Sequence, residues 1–220
     1  MPDPRLGGKV LAAAFLFILL ASCFQQPQDA GVLIQVGRTT VTVGEFESRF
    51  TLSQLGGDPD DMADMQARQR AREEFLAHAV EQALVLEHAR IQGIALEPAA
   101  VDQALAGFFR GYPQEELDRF FAEGGVNRAA WRRDFEDRLL VQEVIRKEVL
   151  SKVDVSGEAV KDALRSMESY DPFAPPAEQE ARWEAARRLL IRKKAQAAYT
   201  LWLAGLKKRY PVVIHRELLP

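Results

Sequence analysis

Apolar residues fall along this chain in two rhythms, one of period two near the start and one of three to four through most of the rest. In residues 31–43, GVLIQVGRTTVTV, the positions Val32, Ile34 and Val36 alternate on one side. Val41 and Val43 alternate again after a Gly37-Arg38 break. Period-two runs on either side of a two-residue break predict a short β-hairpin. Thr42 stands three residues before Glu45, the spacing of a capping box, in which each side chain satisfies the other residue's free amide. A helix is therefore predicted from about Val43, with Phe46 and Phe50 on one face and GGDPDD at 56–61 ending it.

From about residue 64 to 91 the residues Phe75, Leu76, Ala79, Val80, Ala83, Leu84 and Leu86 recur at helical spacing. Gly93 sits where a left-handed backbone closes such a helix. Pro98 suits the first turn of the next one, with Val101, Leu105 and Phe108 on its buried stripe. Pro113 introduces a short helix carrying Leu117, Phe120 and Phe121, with Gly124-Gly125 at its end. Asn127 is a good N-cap for a helix with Trp131, Phe135, Leu139, Ile145 and Val149. After VDVS, Ser156 caps another, and SYDPFAPPAEQ reads as a linker because Pro172, Pro175 and Pro176 break regular structure. A closing helix of about 30 residues is predicted from Ala177 to Arg209, its stripe Trp183, Leu190, Ala198, Trp202, Leu203 and Leu206. Pro211 ends it, and VVIH at 212–215 reads as one more strand.

A lone hairpin is marginal in water, and a third strand covered by helices is the usual remedy. Val212–His215 is therefore expected to return and pair with the hairpin. The fold class is mostly α (α+β): a helical body of about 64–167, a linker at 168–177, and a closing helix and strand at 177–216 completing a small antiparallel sheet.

The first residues, MPDPRLGGKVLAAAFLFILLASC, have a different composition. Arg5 and Lys9 precede an apolar run from Val10 to Leu20, shorter than the roughly 20 residues that cross a bilayer. A basic start, a short apolar core and a small-residue exit describe a secretory signal peptide over 1–22. The exit Leu20-Ala21-Ser22-Cys23 resembles the bacterial lipobox, which implies that the Cys23 thiol is lipidated and that 23–30 form a tether. Cys23 is the only cysteine of the 220 residues, so intramolecular disulfides are excluded. Phe24 rather than Asp follows it, so the lipobox resemblance carries no inner-membrane retention signal. The expected place is the periplasm, held to the outer membrane. Without the leader the chain has 31 acidic and 27 basic residues, a net charge of −4, and no basic stripe asks for nucleic acid.

Catalytic and metal chemistry find little support in the residues. His78 and His88 are ten positions apart on one helix, about 280° around its axis, and read as solvated or partly packed rather than as ligands. No GxSxG is present. The acid pairs Asp60-Asp61, Glu73-Glu74 and Glu115-Glu116 suit positive helix ends better than acid–base work. No metal and no cofactor is expected. Arg187-Arg188 and Arg192-Lys193-Lys194 read first as a solvated face, and second as a contact for acidic clients or lipid headgroups. Phe108, Phe109, Tyr112, Phe120, Phe121 and Trp131 crowd into 24 residues. Most should be core, yet helical neighbours diverge by about 100°, so some are candidates for an apolar client-binding surface.

The order of elements resembles the N-terminal chaperone module of the SurA, PrsA and PpiD group of extracytoplasmic folding factors. The residues that carry the resemblance are TVGEF at 42–46, EQALVLEHARIQGI at 81–94, EELDRFFAEGGVNRAAWRRDFEDRLLVQEVI at 115–145, VDVSGEAV at 153–160 and RRLLIRKKAQAAYTLWLAGLKKRYPVVI at 187–214. It spans nearly all of 31–216. Val36-Gly37 stands where many relatives have Asn-Gly, and Glu97-Pro98 where they often have a Ser, Thr or Asp cap. Enzymatic relatives insert a parvulin-type isomerase domain between the VDVS segment and the closing helix. Here only about 20 residues occupy that interval, too few for a packed domain, and all three histidines lie outside it. The resemblance implies a tethered, ATP-independent holdase for unfolded or nascent envelope and outer-membrane polypeptides, without prolyl isomerase activity. The alternative is a structural or assembly lipoprotein that uses the same module to dock one dedicated membrane-complex partner.

Overall fold

In the computed structural model, which describes residues 31–54, 65–123, 127–166, 173 and 175–219, the chain starts with the predicted hairpin. Strands β1 (Val32–Val36) and β2 (Thr39–Thr42) pair antiparallel through Val36↔Thr39, Gln35↔Thr40 and Ile34↔Val41. The register shifts between Val32 and Ile34, and the simple alternation fails there. Leu33 and Ile34 are both fully buried while Val32 is half-buried, because an irregular strand re-aims its side chains. Gly37 has φ +57°, and Arg38 after it is not left-handed, the pattern of a type II′ turn.

Thr42 then caps α1 (Val43–Ser53) as predicted: Glu45 N–H donates to Thr42 Oγ1 at 3.2 Å and Thr42 N–H to Glu45 Oε2 at 2.8 Å. Phe46 and Phe50 are buried. Helix α2 (Met65–Gln92) ends in a Schellman motif, with Ile94 N–H on Ala89 C=O at 2.9 Å and Gly93 at φ +65°. Leu76, Ala79, Val80, Ala83 and Leu84 are buried as expected, but Leu86 is only half-buried, and Val85, Glu87, His88 and Ala89 are enclosed as well. Helix α2 packs against the sheet, α1 and two further helices, and a helix covered on several sides shows no single stripe.

The remaining elements are α3 (Pro98–Phe108), α4 (Gln114–Glu123), α5 (Arg128–Glu148), α6 (Gly157–Arg165), α7 (Pro176–Arg209) and β3 (Val212–Ile214). Asn127 and Ser156 cap α5 and α6 through the Ala130 and Ala159 amides at 3.0 and 3.3 Å. The breaks expected at 56–61 and at Gly124-Gly125 lie outside the described residues, as does most of the 168–177 linker. The mostly α fold with a small antiparallel sheet is the observed one. Strand β3 pairs with β1 through Ile34↔Ile214, Gln35↔Val213 and Val36↔Val212, giving the order β2-β1-β3.

Helix α7 departs from the single stripe predicted for it. Near its start Ala186 joins Val160 and Leu164 of α6 in a small core, with Trp183 and Leu190 packed against it. Near its end Leu203 and Leu206 enter the main core with Leu33, Ile34, Phe46, Leu84 and Val144. Ala186 and Leu206 lie about 160° apart around the axis, so the buried face changes sides along the helix.

Two polar residues that the periodicity hides hold this core together. Glu87, 2% exposed, accepts from Arg38 N–H at 3.2 Å, Thr39 Oγ1 at 3.0 Å, and Arg90 Nε and Nη2 at 2.8 and 2.7 Å. It pins the hairpin turn to α2. His88, read from sequence as solvated or partly packed, is buried at 5% exposure. Its Nδ1 lies 3.0 Å from Tyr210 Oη, and its ring meets Trp202 edge-on at 5.6 Å. Burial pushes its pKa below 6.5, Arg209 and Lys152 add to that, and Glu148 opposes them. Protonation would also bury a second N–H at Nε2, which has no partner among the described residues. With the folded value depressed, His88 costs nothing above pH 6.5 and favours the unfolded chain increasingly as pH falls below it. Urea midpoints should fall from pH 7.5 to pH 5.5, and His88→Phe should flatten that slope. An unchanged slope in the variant would show that other groups set it.

Candidate functional site

The rings singled out in the sequence converge where α3 ends, α4 lies and α5 begins. Trp131, on the first turn of α5, is the hub: ring centroids of Phe109, Phe135, Phe108 and Phe121 lie 5.2, 5.4, 5.6 and 5.6 Å from its own. Phe108 and Phe109 meet edge-on at 5.1 Å, and Phe120 and Phe121 at 5.3 Å. Such edge-to-face and tilted pairs suit the aromatic quadrupole and add to the area they bury.

The cluster has a buried base and an open top. Phe135, one turn beyond Trp131, is only 8% exposed and forms the base. Phe108 and Phe120 are 57% and 46% exposed, whereas Phe109, Phe121 and Trp131 are half-buried. Phe108 was expected on a buried stripe of α3, and that expectation is corrected: it belongs to the last turn, beyond the part of α3 that Val101 seats in the body. Tyr112 is 61% exposed and makes no ring contact among the described residues. The ring cluster is thus built from five of the six expected residues together with Phe135, and Tyr112 stands exposed outside it. Helix α4 has no buried residue at all, and its Phe120 and Phe121 join it to this cluster.

Charged residues brace the rings from outside. Arg128 pairs with Asp118 on α4 and places its guanidinium 4.7 Å over the Phe121 ring. Arg132, one turn on, bonds Asp102 on α3 at 2.7 Å and Glu136 at 2.8 Å. Two arginines of α5 thus tie down both short helices. The Arg128 guanidinium, helped by Gln114, holds the Asp118 carboxyl below its usual range.

Trp131 also forms part of the wall of a cleft of about 770 Å³ between α1 and α5. Its floor is ionic: Arg49 lies 2.9 Å from Asp134 and 3.4 Å from Asp137. Burial raises the Asp137 pKa, the neighbouring carboxylates of Asp134, Glu45 and Glu136 raise it further, and Arg49 opposes them. His78 stands exposed on α2 while His88 is committed to Tyr210, so the two do not converge on a ligand. The site offers apolar surface with a charged rim, which is binding chemistry. Sequence reasoning missed Phe135 as its base; the i, i+4 spacing from Trp131 was the available signal. Cys23 and the expected leader at 1–22 lie outside the described residues.

Comparison with known proteins agrees with this reading. A model of the SurA-like N-terminal domain matches residues 9–145, from within the expected leader to near the end of α5. The match includes every residue of the aromatic cluster, and it leaves α6, α7 and β3 outside. No curated protein matches the chain. With more than half of its residues matched, the chain belongs to the SurA-like N-terminal domain family and carries a module of chaperone type.

Proposed function

We propose that this protein is a lipid-anchored periplasmic holdase that shields unfolded envelope or outer-membrane polypeptides, without ATP and without prolyl isomerisation. The observation that carries the reading is the partly open aromatic cluster, with Phe108 and Phe120 presented on short helices braced by Arg128 and Arg132. Burying apolar client side chains there gains roughly 25 cal/mol per Å². Over a patch of a few hundred Å², much of that gain is offset by ordering the client. Binding of this kind is weak and reversible, as holding and release require.

Two features of the chain support the finer parts of the proposal. The lipobox-like Leu20-Ala21-Ser22-Cys23 supports the tether. Only residues 166–175 separate α6 from α7, too few for an inserted isomerase domain. The test is aggregation of several unrelated unfolded proteins in the presence of residues 24–220. Suppression of all of them at near-stoichiometric ratio is expected, with proline-peptide isomerisation at background. No suppression, together with one stoichiometric partner in a pull-down from envelope extract, would instead identify a dedicated docking lipoprotein.

A further inference from the structure

Trp131 belongs to two features at once. It is the hub of the ring cluster, and it lines the cleft between α1 and α5. The rest of that cleft is acidic, with Glu45, Glu47, Asp134, Glu136 and Asp137 set against Arg49 and Arg133. Three of these carboxylates have close arginine partners. Glu47 has Arg72 at 2.6 Å, Glu136 has Arg132 at 2.8 Å, and Asp134 has Arg49 and Arg138 at 2.9 and 3.2 Å. The other two are less well matched. Glu45 gives Oε2 to the Thr42 cap and meets no cation among the described residues. Asp137 has only the 3.4 Å contact of Arg49, whose shorter one goes to Asp134. Burial raises the Asp137 pKa, and Glu45 adds to that rise from the opposite wall. There is room between these walls. A Cβ at Gly44 would find no atom within 4 Å, and the neighbouring wall residues Ser48 and Ala130 are small.

We infer that this cleft takes a basic side chain of the polypeptide held on the rings, so that favoured clients carry lysine or arginine close to an aromatic or apolar segment. The inference rests on the client-holding reading and adds a charge preference to it. A cation beside Glu45 and Asp137 relieves two carboxylates that oppose each other, and its aliphatic stem can lie against Trp131. An acidic segment would instead meet five carboxylates and two arginines. A bare metal ion is a poorer match, because no three potential ligands converge among the described residues. The spacing follows from the helix. Asp137 is six residues beyond Trp131, about 9 Å along α5 at roughly 1.5 Å per residue. An extended chain covers that length in about three residues, so the basic residue should stand about three positions from the ring-bound one.

The probes are labelled peptides carrying Phe-Ser-Leu-Phe, a Ser-Ser spacer and then Lys-Ser-Lys, Ser-Ser-Ser or Glu-Ser-Glu. Residues 24–220, which contain the compact unit Val32–Pro220, should bind the lysine peptide about tenfold tighter than the serine one, since partly exposed ion pairs are worth about threefold each. The glutamate peptide should bind more weakly still. Glu45→Gln/Asp137→Asn keeps the capping box, which accepts glutamine, and should bring the lysine and serine peptides within about threefold of each other. A control on α6, Glu158→Gln/Asp162→Asn, neutralises two exposed carboxylates and should keep the full preference. Urea midpoints of both variants check that they fold. Equal losses in the two variants would assign the preference to net charge and overturn the inference. Equal binding of the three peptides by the parent would overturn it and leave the holding reading standing. A Lys-Ser-Lys peptide without the rings that bound as tightly as the full one would also overturn it, since the cleft would then take any polycation. Failure of the parent to bind any peptide would overturn it too, and aggregation suppression would decide the holding reading separately.

Discussion

Replacing Gly37 by alanine is expected to cost about 4 kcal/mol of folding stability, a large share of what a domain of this size has. Gly37 has φ +57°, where an L side chain costs about 1–2 kcal/mol. A Cβ there would also clash with Glu87: it would lie far inside van der Waals contact of Oε1, and 2.8 Å from the carboxyl carbon. The carboxylate would have to leave the Arg38 amide, the Thr39 hydroxyl and Arg90. Breaking up a buried charged network of this kind costs about 3 kcal/mol. Glu87→Gln keeps the shape and loses the charge, so about 2 kcal/mol is expected.

Because the two residues touch, their effects should not add. Gly37→Ala/Glu87→Ala should be less destabilised than the sum of its parts, since removing the carboxylate removes the clash. Urea denaturation of the four proteins measures this. Strict additivity, or a Gly37→Ala cost under about 1 kcal/mol, would show that Glu87 does not pin the turn. The pH dependence follows from the same geometry. Arg90 first, then the Arg38 amide and Thr39, hold the Glu87 pKa at about 2 against the opposing effect of burial. Its contribution is complete above pH 4.5 and is lost as pH falls toward about 2.

Trp131→Ala is the second substitution with a large expected effect, and its signature is local. Four rings lose their common neighbour, and losing a large aromatic of this kind costs roughly 3 kcal/mol. Helix α4 has no buried residue and depends on the cluster and on the Arg128–Asp118 pair. Hydrogen exchange should therefore show α3 and α4 losing protection while the core of α2 keeps it. The proposed holding activity should fall at least tenfold. Phe108→Ser/Phe120→Ser separates binding from folding, because both rings are already about half exposed. Its urea midpoint should stay near the parent's while aggregation suppression falls about tenfold. Full suppression by that variant would remove the aromatic surface from the proposed function.

The sequence was most informative where structure is local. The Thr42–Glu45 capping box, the Gly93 closure, the Asn127 and Ser156 caps and the two-residue hairpin turn depend on neighbours a few positions apart, and all are observed as predicted. The candidate site was half legible. The density of aromatics between Phe108 and Trp131 marked it, but which rings face water and which form the base depends on where α3 and α4 end relative to α5. Phe108 was misplaced for that reason, and Phe135 was overlooked.

What the sequence by itself determined was the order of the described elements, the capped helix starts and the Gly93 closure, the mostly α class and the place where aromatic residues collect. Caps, turns and periodicity act over a few residues, within reach of local propensity. Only the tertiary structure decided which side of α7 is buried at each end, why Leu33 joins Ile34 in the core, and that Glu87 and His88 are enclosed. Each of these depends on which other element packs there, β3 against β1, the hairpin against α2, and α6 against the start of α7. Burial at those positions is set by what closes over a residue, and that neighbour is supplied by the fold.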